Sequence, residues 1–185
     1  MSSELIKSIR ARNWVRTMAR LATHPAEAVL AGAPHEYGMR PLHYACWNQA
    51  PLAVVQALLY AHPGAALTPT GGGLLPLHYA AYHQAPLDVV QLLLRAYPEA
   101  VCIASNSGWL PLHWATLSTP HASVGVPPVV AALLAAHPEA ALEHDNDGDL
   151  PDLARYPAAA IAAALRAQAA ARRRLAMIGW VAAWA

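Results

Sequence analysis

Ten histidines are the residues most capable of chemistry in this chain, and six of them recur at two fixed places: His43, His78 and His113 in one row, His24, His62 and His137 in another. Rows of imidazoles suggest zinc, but packed helices lie about 8–10 Å apart and a zinc ligand must come within about 2.1 Å of its ion. Equivalent histidines of neighbouring units therefore do not converge on one metal. Asp145-Asn146-Asp147-Gly148-Asp149 opens like a calcium loop, which needs Gly at its sixth position and Glu at its twelfth; Leu150 and Tyr156 stand there. Thr70-Gly71-Gly72-Gly73 has the glycines of a phosphate cradle without the Gly-Lys-Ser/Thr that completes one. Ser118, His121 and Ser123 share a segment but have no third group to form a nucleophile relay. Cys46 and Cys102 occupy unrelated positions with no CxxC, which argues against a disulfide framework or a metal site and for a reducing compartment. The expectation is a non-enzymatic protein without cofactor or metal.

The elements that carry these residues are repeated. Gly38-Met-Arg-Pro41-Leu-His43-Tyr-Ala45 returns as Gly73-Leu-Leu-Pro76-Leu-His78-Tyr-Ala80 and as Gly108-Trp-Leu-Pro111-Leu-His113-Trp-Ala115. A worn copy, Gly148-Asp-Leu-Pro151-Asp-Leu153-Ala154-Arg155, has lost the histidine. Successive prolines (41, 76, 111, 151) are 35, 35 and 40 residues apart, and the five extra residues of the third unit fall between Ser118 and Pro128. Proline suits the first position of a helix, where its missing N–H costs nothing; Leu77, Ala80 and Ala81 then share one face. Gln84-Ala85-Pro86 ends that helix, because the residue before proline is driven out of helical geometry. A second helix buries Val90, Leu93, Leu94 and Tyr97 and stops at Tyr97-Pro98. Ser105-Asn106-Ser107-Gly108 supplies a turn. Neither helix buries its stripe alone, so the units must stack.

Gly-x-x-Pro-Leu-His-x-Ala followed by Val-Val-x-x-Leu-Leu and a Gly-containing turn resembles the ankyrin repeat, over roughly residues 14 to 165. The resemblance implies an all-α solenoid of stacked helix-turn-helix pairs with hairpin-like fingers, used as a non-catalytic module, scaffold or adaptor that binds another protein or peptide. The expected divisions are an N-terminal helix and capping half-repeat (1–40), three repeats (41–75, 76–110 and 111–150, the last with the inter-helix insertion) and a C-terminal cap with a basic and apolar tail (151–185). The family's capping Thr is replaced by Arg40, Leu75, Leu110 and Leu150, which removes a hydroxyl cap worth about 1 kcal/mol per helix. The family's histidine ties its turn to the next repeat.

The partner-facing positions that the resemblance implies form three groups. The residues after the turn glycine are Met39, Leu74, Trp109 and Asp149; the ends of the first helices hold Trp47-Asn48, Tyr82-His83 and Leu117-Ser118; the finger tips include Asp145 and Asp147. Together they predict a concave stripe of exposed aromatic and apolar side chains, the usual mark of an interaction surface. The competing reading packs Trp47 and Tyr82 between first helices and lays Trp109 over the turn.

The 185 residues suit one domain, with 56% apolar and 12% charged residues and a net charge of +1, which argues against general nucleic-acid binding. The chain is expected to be monomeric and cytoplasmic, with nuclear and organellar locations open. Lys7, Arg10, Arg12, Arg16 and Arg20 against Glu4 alone fit either a transit peptide or a capping repeat in which Trp14, Met18 and Leu21 share a buried face. The Ser118–Pro128 insertion fits either a binding loop or a tolerated surface insertion. Arg172-Arg173-Arg174 and the apolar stretch Leu175 to Ala185, too short to span a bilayer, fit a cap, a disordered tail or a membrane-interface anchor. The last would make the protein a membrane-peripheral adaptor.

Overall fold

The computed structural model describes residues 3–30, 37–118, 126–158, 161, 162 and 166. The greater part of the insertion, the basic cluster and the apolar tail thus lie outside the described residues. Eight α-helices run through the described chain in pairs: α1 (Glu4–Arg10) with α2 (Trp14–Thr23), α3 (Pro41–Trp47) with α4 (Leu52–Ala61), α5 (Pro76–Tyr82) with α6 (Leu87–Ala96), and α7 (Pro111–Leu117) with α8 (Pro128–Ala136). Odd-numbered helices stack on one another as an inner row and even-numbered helices as an outer row. The core lies between the rows as one continuous cluster that includes Leu42, Leu77 and Leu112 from the first and Leu58, Leu93 and Leu133 from the second.

Each full repeat begins in the way its prolines dictate. Pro41, Pro76 and Pro111 open α3, α5 and α7, and the histidine two residues later bends back so that its Nδ1 accepts the N–H of Arg40 (2.9 Å), Leu75 (3.0 Å) or Leu110 (3.2 Å). This is half of a reciprocal capping box; Arg40, Leu75 and Leu110 carry no oxygen for the other half. Gln49 and Gln84 then take left-handed backbone conformations, with φ of 55° and 49°, and the chain reverses into the second helix. Their side chains join the units: Gln49 Nε2 donates to the His83 carbonyl, and Gln84 Nε2 to Ala115 O (3.1 Å) and Ser118 Oγ (3.2 Å). Gln84→Asn tolerates the same φ but is too short to reach, so it is expected to cost about 1 kcal/mol in urea unfolding. An unchanged midpoint would show the bridge to be idle.

The histidine- or tyrosine-proline step ends each second helix and starts a 3-10 turn, at Pro25–Val29, Pro63–Leu67, Pro98–Cys102 and Pro138–Leu142. These turns hold part of the extra length of the unit. Fingers follow, the last two each closed by two backbone bonds (Ser105 N to Trp109 O and Gly108 N to Ser105 O, both 2.9 Å; Asp145 N to Asp149 O, 2.9 Å, and Gly148 N to Asp145 O, 3.2 Å), and no residue among those described is in a β-strand. Consecutive fingers bond to each other: Gly71 N to Tyr37 O (2.7 Å), Asn106 N to Gly72 O (3.0 Å) and Asn146 N to Ser107 O (3.2 Å).

That finger-to-finger contact explains two of the glycines. Gly73, Gly108 and Gly148 all have φ between 77° and 87°. A methyl on Gly108 would stand 2.6 Å from the Asn146 nitrogen and one on Gly73 2.9 Å from the Asn106 nitrogen, whereas one on Gly148 meets nothing within 4 Å. Gly148→Ala is therefore expected to cost only the strain of positive φ, about 1–2 kcal/mol. Gly73→Ala and Gly108→Ala should cost about 2 kcal/mol more, because a backbone must move and a finger bond is lost. Equal urea midpoints for the three variants would contradict this.

In the N-terminal unit two helices, α1 and α2, pack as a pair. Leu5, Ile6 and Ile9 are fully buried, and several of the segment's charges pair within it. Glu4 meets Lys7 (2.7 Å) and Arg16 (2.9 Å), Arg20 pairs with Glu27, and Glu27 also accepts the Leu5 N–H (2.9 Å). Ser3 and Asn13 cap the two helices. Met18, placed by its periodicity on the buried face, is 39% exposed; Thr17 is buried instead and bonds Ser8 Oγ across the pair at 3.0 Å. At the other end the worn repeat forms only the 3-10 turn Leu153–Arg155, with Asp152 N donating to Thr116 Oγ1 (3.2 Å). Of the expected closing helix, residues 158, 161, 162 and 166 are described and helical, and Ile161 packs on the core.

Candidate interaction groove

The inner row of helices carries large aromatic or apolar side chains at two places in each repeat. Pro-Leu-His-x-Ala places Tyr44, Tyr79 and Trp114 at x, on the helix face beside the buried histidine, and the helix ends three residues later at Trp47, Tyr82 and Leu117. Stacking of the units brings these into a ladder. Trp47 lies over Tyr79 (ring centroids 5.7 Å apart) and His83 (5.1 Å), and Tyr82 meets Trp114 edge-on (5.5 Å). Trp114 meets Trp109 at 5.0 Å, and Trp109 stacks on His113 at 6.1 Å. Trp47 is 46% exposed, Tyr82 37% and Leu117 49%, so the ladder has a solvent-facing edge. Between Trp47, Tyr79, Tyr82 and Trp114 lies a cavity of about 260 Å³, with Leu74 and His83 on its wall.

Of the residues the sequence singled out, Trp47, Asn48, Leu74, Tyr82, His83 and Trp109 come together along this groove; Leu117 and Ser118 extend it, and Asp147 and Asp149 stand exposed at its C-terminal finger. Two expected partner-facing residues are placed differently. Met39 is only 6% exposed, and lines the depression that also holds Arg10, Tyr37, Tyr44 and Trp47. Its counterpart Asp149, in the last described finger, is left open. Asp145 is 8% exposed, and its Oδ1 accepts the N–H groups of Asp147 and Asp149, both at 2.9 Å, so that it holds the turn together. Both packing and exposure thus apply to the aromatic stripe: Trp109 is half-buried over the turn, while Trp47 and Tyr82 pack and remain accessible.

Tyr79 and Trp114 line the groove and were not singled out from the sequence. The signal was present, since the x of Pro-Leu-His-x-Ala is aromatic in all three intact copies. The histidines of the same motif belong to the interior. His43 is 0% and His78 1% exposed, and burial pushes both down to about 4, against a smaller opposing effect of backbone carbonyls. His78 Nε2 reaches Trp109 O of the next unit at 3.2 Å. Burial also lowers His113. Among the described residues no group of three or more His, Cys, Asp or Glu is placed to hold a metal ion, and no helix is long and apolar enough to cross a membrane.

Stacked helix pairs, fingers bonded edge to edge and an accessible groove on the inner row define an α-helical repeat solenoid of the kind that recognises other macromolecules. The chain belongs to the ankyrin repeat family: the family model for ankyrin repeats matches three copies over residues 42–143. Ankyrin repeats generally mediate protein–protein interaction and are typically non-catalytic modules. A search of curated proteins found no match.

Proposed function

We propose that this protein is an adaptor that binds a protein or peptide partner in the groove along α3, α5 and α7, centred on Trp47, Tyr82 and Trp114. The observation that carries this reading is the exposed edge of the aromatic ladder. Trp47 and Tyr82 are large apolar side chains left over a third accessible beside a cavity, and Trp and Tyr are the residues most enriched among binding hot spots. Binding in this groove fits a rigid, preformed surface, because the ladder is fixed by contacts between units and does not have to be ordered when a partner arrives.

A pull-down from lysate of the source organism tests the reading, comparing the native chain with Trp47→Ala, Tyr82→Ala and Trp109→Ala combined, after the helical content of the two has been matched by circular dichroism. Partners held by the native chain and lost by the variant are the expected result. A folded variant that keeps every partner would place recognition elsewhere.

A further inference from the structure

The aromatic ladder stops one rung short at its C-terminal end. Trp47 lies over Tyr79 of the following unit, and Tyr82 meets Trp114 of the one after. For Leu117, third in that row, the same position of the worn repeat is Ala154, an exposed residue with no ring to offer. Leu117 is left 49% exposed, and Leu150 46%. With Trp109 they border a depression of about 310 Å³ whose wall also carries Asp149 and Asp152. Asp147 stands exposed on the same finger, and no ion pair among the described residues engages Asp147 or Asp149. Two other depressions of the inner row differ in character: one at the N-terminal end has Arg10 on its wall, and the aromatic cavity has no carboxylate. A terminal repeat normally turns a polar face outward; here an apolar step flanked by carboxylates is left open.

We infer that this step is the docking site of the chain's own segment 172–185. That segment is complementary to the site in composition: Arg172-Arg173-Arg174 supplies guanidinium groups, charged at any physiological pH, for Asp147 and Asp149, and Trp180 or Trp184 supplies the ring over Leu117. Either extreme of backbone geometry gives it the reach. From Arg166, the last described residue, to Trp180 the chain spans about 21 Å if helical and about 46 Å if extended, against about 10 Å between neighbouring helices. The segment also departs from the unit that carries the site, since Ile161 packs on the core and Asp152 N donates to Thr116 Oγ1 of α7. The insertion that follows Ser118 lies nearer in sequence but holds no Lys or Arg, so it leaves the aspartates unanswered. Docking covers Trp109 and Leu117 and closes the C-terminal end of the groove, while the part between Trp47 and Trp114 stays open. The inference stands independently of the groove's being a recognition surface.

Photo-crosslinking within the full chain tests this. A photoreactive phenylalanine analogue replaces Leu117, or Leu150 if the first variant loses helical content by circular dichroism, and the dilute protein is irradiated and its crosslinks mapped by peptide mass spectrometry. An equal mixture of isotope-labelled and unlabelled chains separates contacts within one molecule from contacts between two. The expected result is a crosslink into 172–185 that joins peptides of the same label. Its yield should fall about threefold or more when Asp147→Arg and Asp149→Arg are introduced together. It should recover when Arg172→Asp, Arg173→Asp and Arg174→Asp are added to them. No crosslink into 172–185, or crosslinks to 119–125 alone, would overturn the inference, the latter in favour of the insertion as occupant. Mixed-label pairs would overturn it in favour of a second copy, and a yield indifferent to the charge reversals would remove the pairing on which the assignment rests.

Discussion

Folding stability is expected to fall by about 6 kcal/mol between pH 6.5 and pH 4. Two buried histidines set this figure. An exposed imidazole titrates near 6.5, whereas His43 and His78 are held at about 4 by the cost of burying their charged forms. Above pH 6.5 both rings are neutral in the folded and the unfolded chain, so they add no pH dependence there. Below it the unfolded chain takes up two protons that the folded chain refuses until about pH 4. Stability therefore declines with acidification across that window, at about 1.4 kcal/mol per histidine per pH unit and about 3 kcal/mol each in total. His113 is shifted in the same direction and steepens the decline.

The carboxylates add to the loss further down. Burial opposes it, but the Arg20 and Leu5 hydrogen bonds together hold Glu27 below its ordinary value, and the Asp149 and Asp147 N–H groups do the same for Asp145. The stability these two supply is lost as the pH falls through their lowered folded-state values. Since a domain is stable by only about 5–15 kcal/mol, the solenoid should be close to unfolding at pH 4.5. Urea denaturation at half-unit steps from pH 7.5 to 4.5 measures the slope; a flat profile would show that the histidines accept protons in place.

Loss of partner affinity on truncating Trp47 and Tyr82 is the second large effect, about 2 kcal/mol or more for each. The structure separates these two from their neighbours. Trp47 is 46% exposed and lies over Tyr79 and His83, so Trp47→Ala removes a contact surface while the underlying rings remain packed. Trp114 touches both Tyr82 and Trp109 and is half-buried against the core. Trp114→Ala should accordingly cost about 2 kcal/mol of folding stability in addition to its effect on binding. Titration of an identified partner should thus show Trp47→Ala and Tyr82→Ala binding at least about 30-fold more weakly at nearly unchanged stability. A drop in unfolding midpoint for Trp47→Ala as large as that for Trp114→Ala would make Trp47 a core residue.

Much of the fold is written in the prolines. They can stand at the start of an inner helix, before the outer helix and at its end, and nowhere inside, so the order of elements can be read directly from Pro76, Pro86 and Pro98. The 3-10 turns were less legible, because Pro98-Glu-Ala-Val-Cys carries no periodicity long enough to reveal one turn of helix. The N-terminal pair was half visible: Trp14, Met18 and Leu21 announced α2, but seven residues of α1 are too few for a pattern to stand out. In the site, the ends of the inner helices came from the resemblance to the ankyrin repeat, carried over in register with the repeated motif. The burial of Met39 was not legible, since its counterparts Leu74 and Trp109 at the same motif position are only half-buried. Asp145, expected at a partner-facing finger tip, instead holds its turn through its carboxylate, a role set by side-chain geometry that the sequence does not display.

Site-specific photo-crosslinking most directly tests whether recognition lies in the inner-row groove. A photoreactive phenylalanine analogue is placed at Tyr82, on the groove, or at Tyr60, which is 92% exposed on the outer helix α4, and each full-length protein is irradiated with its partner. A crosslinked partner from position 82 and none from position 60 is the predicted result. Crosslinking from position 60 with none from 82 would contradict the account and move the interface to the outer row.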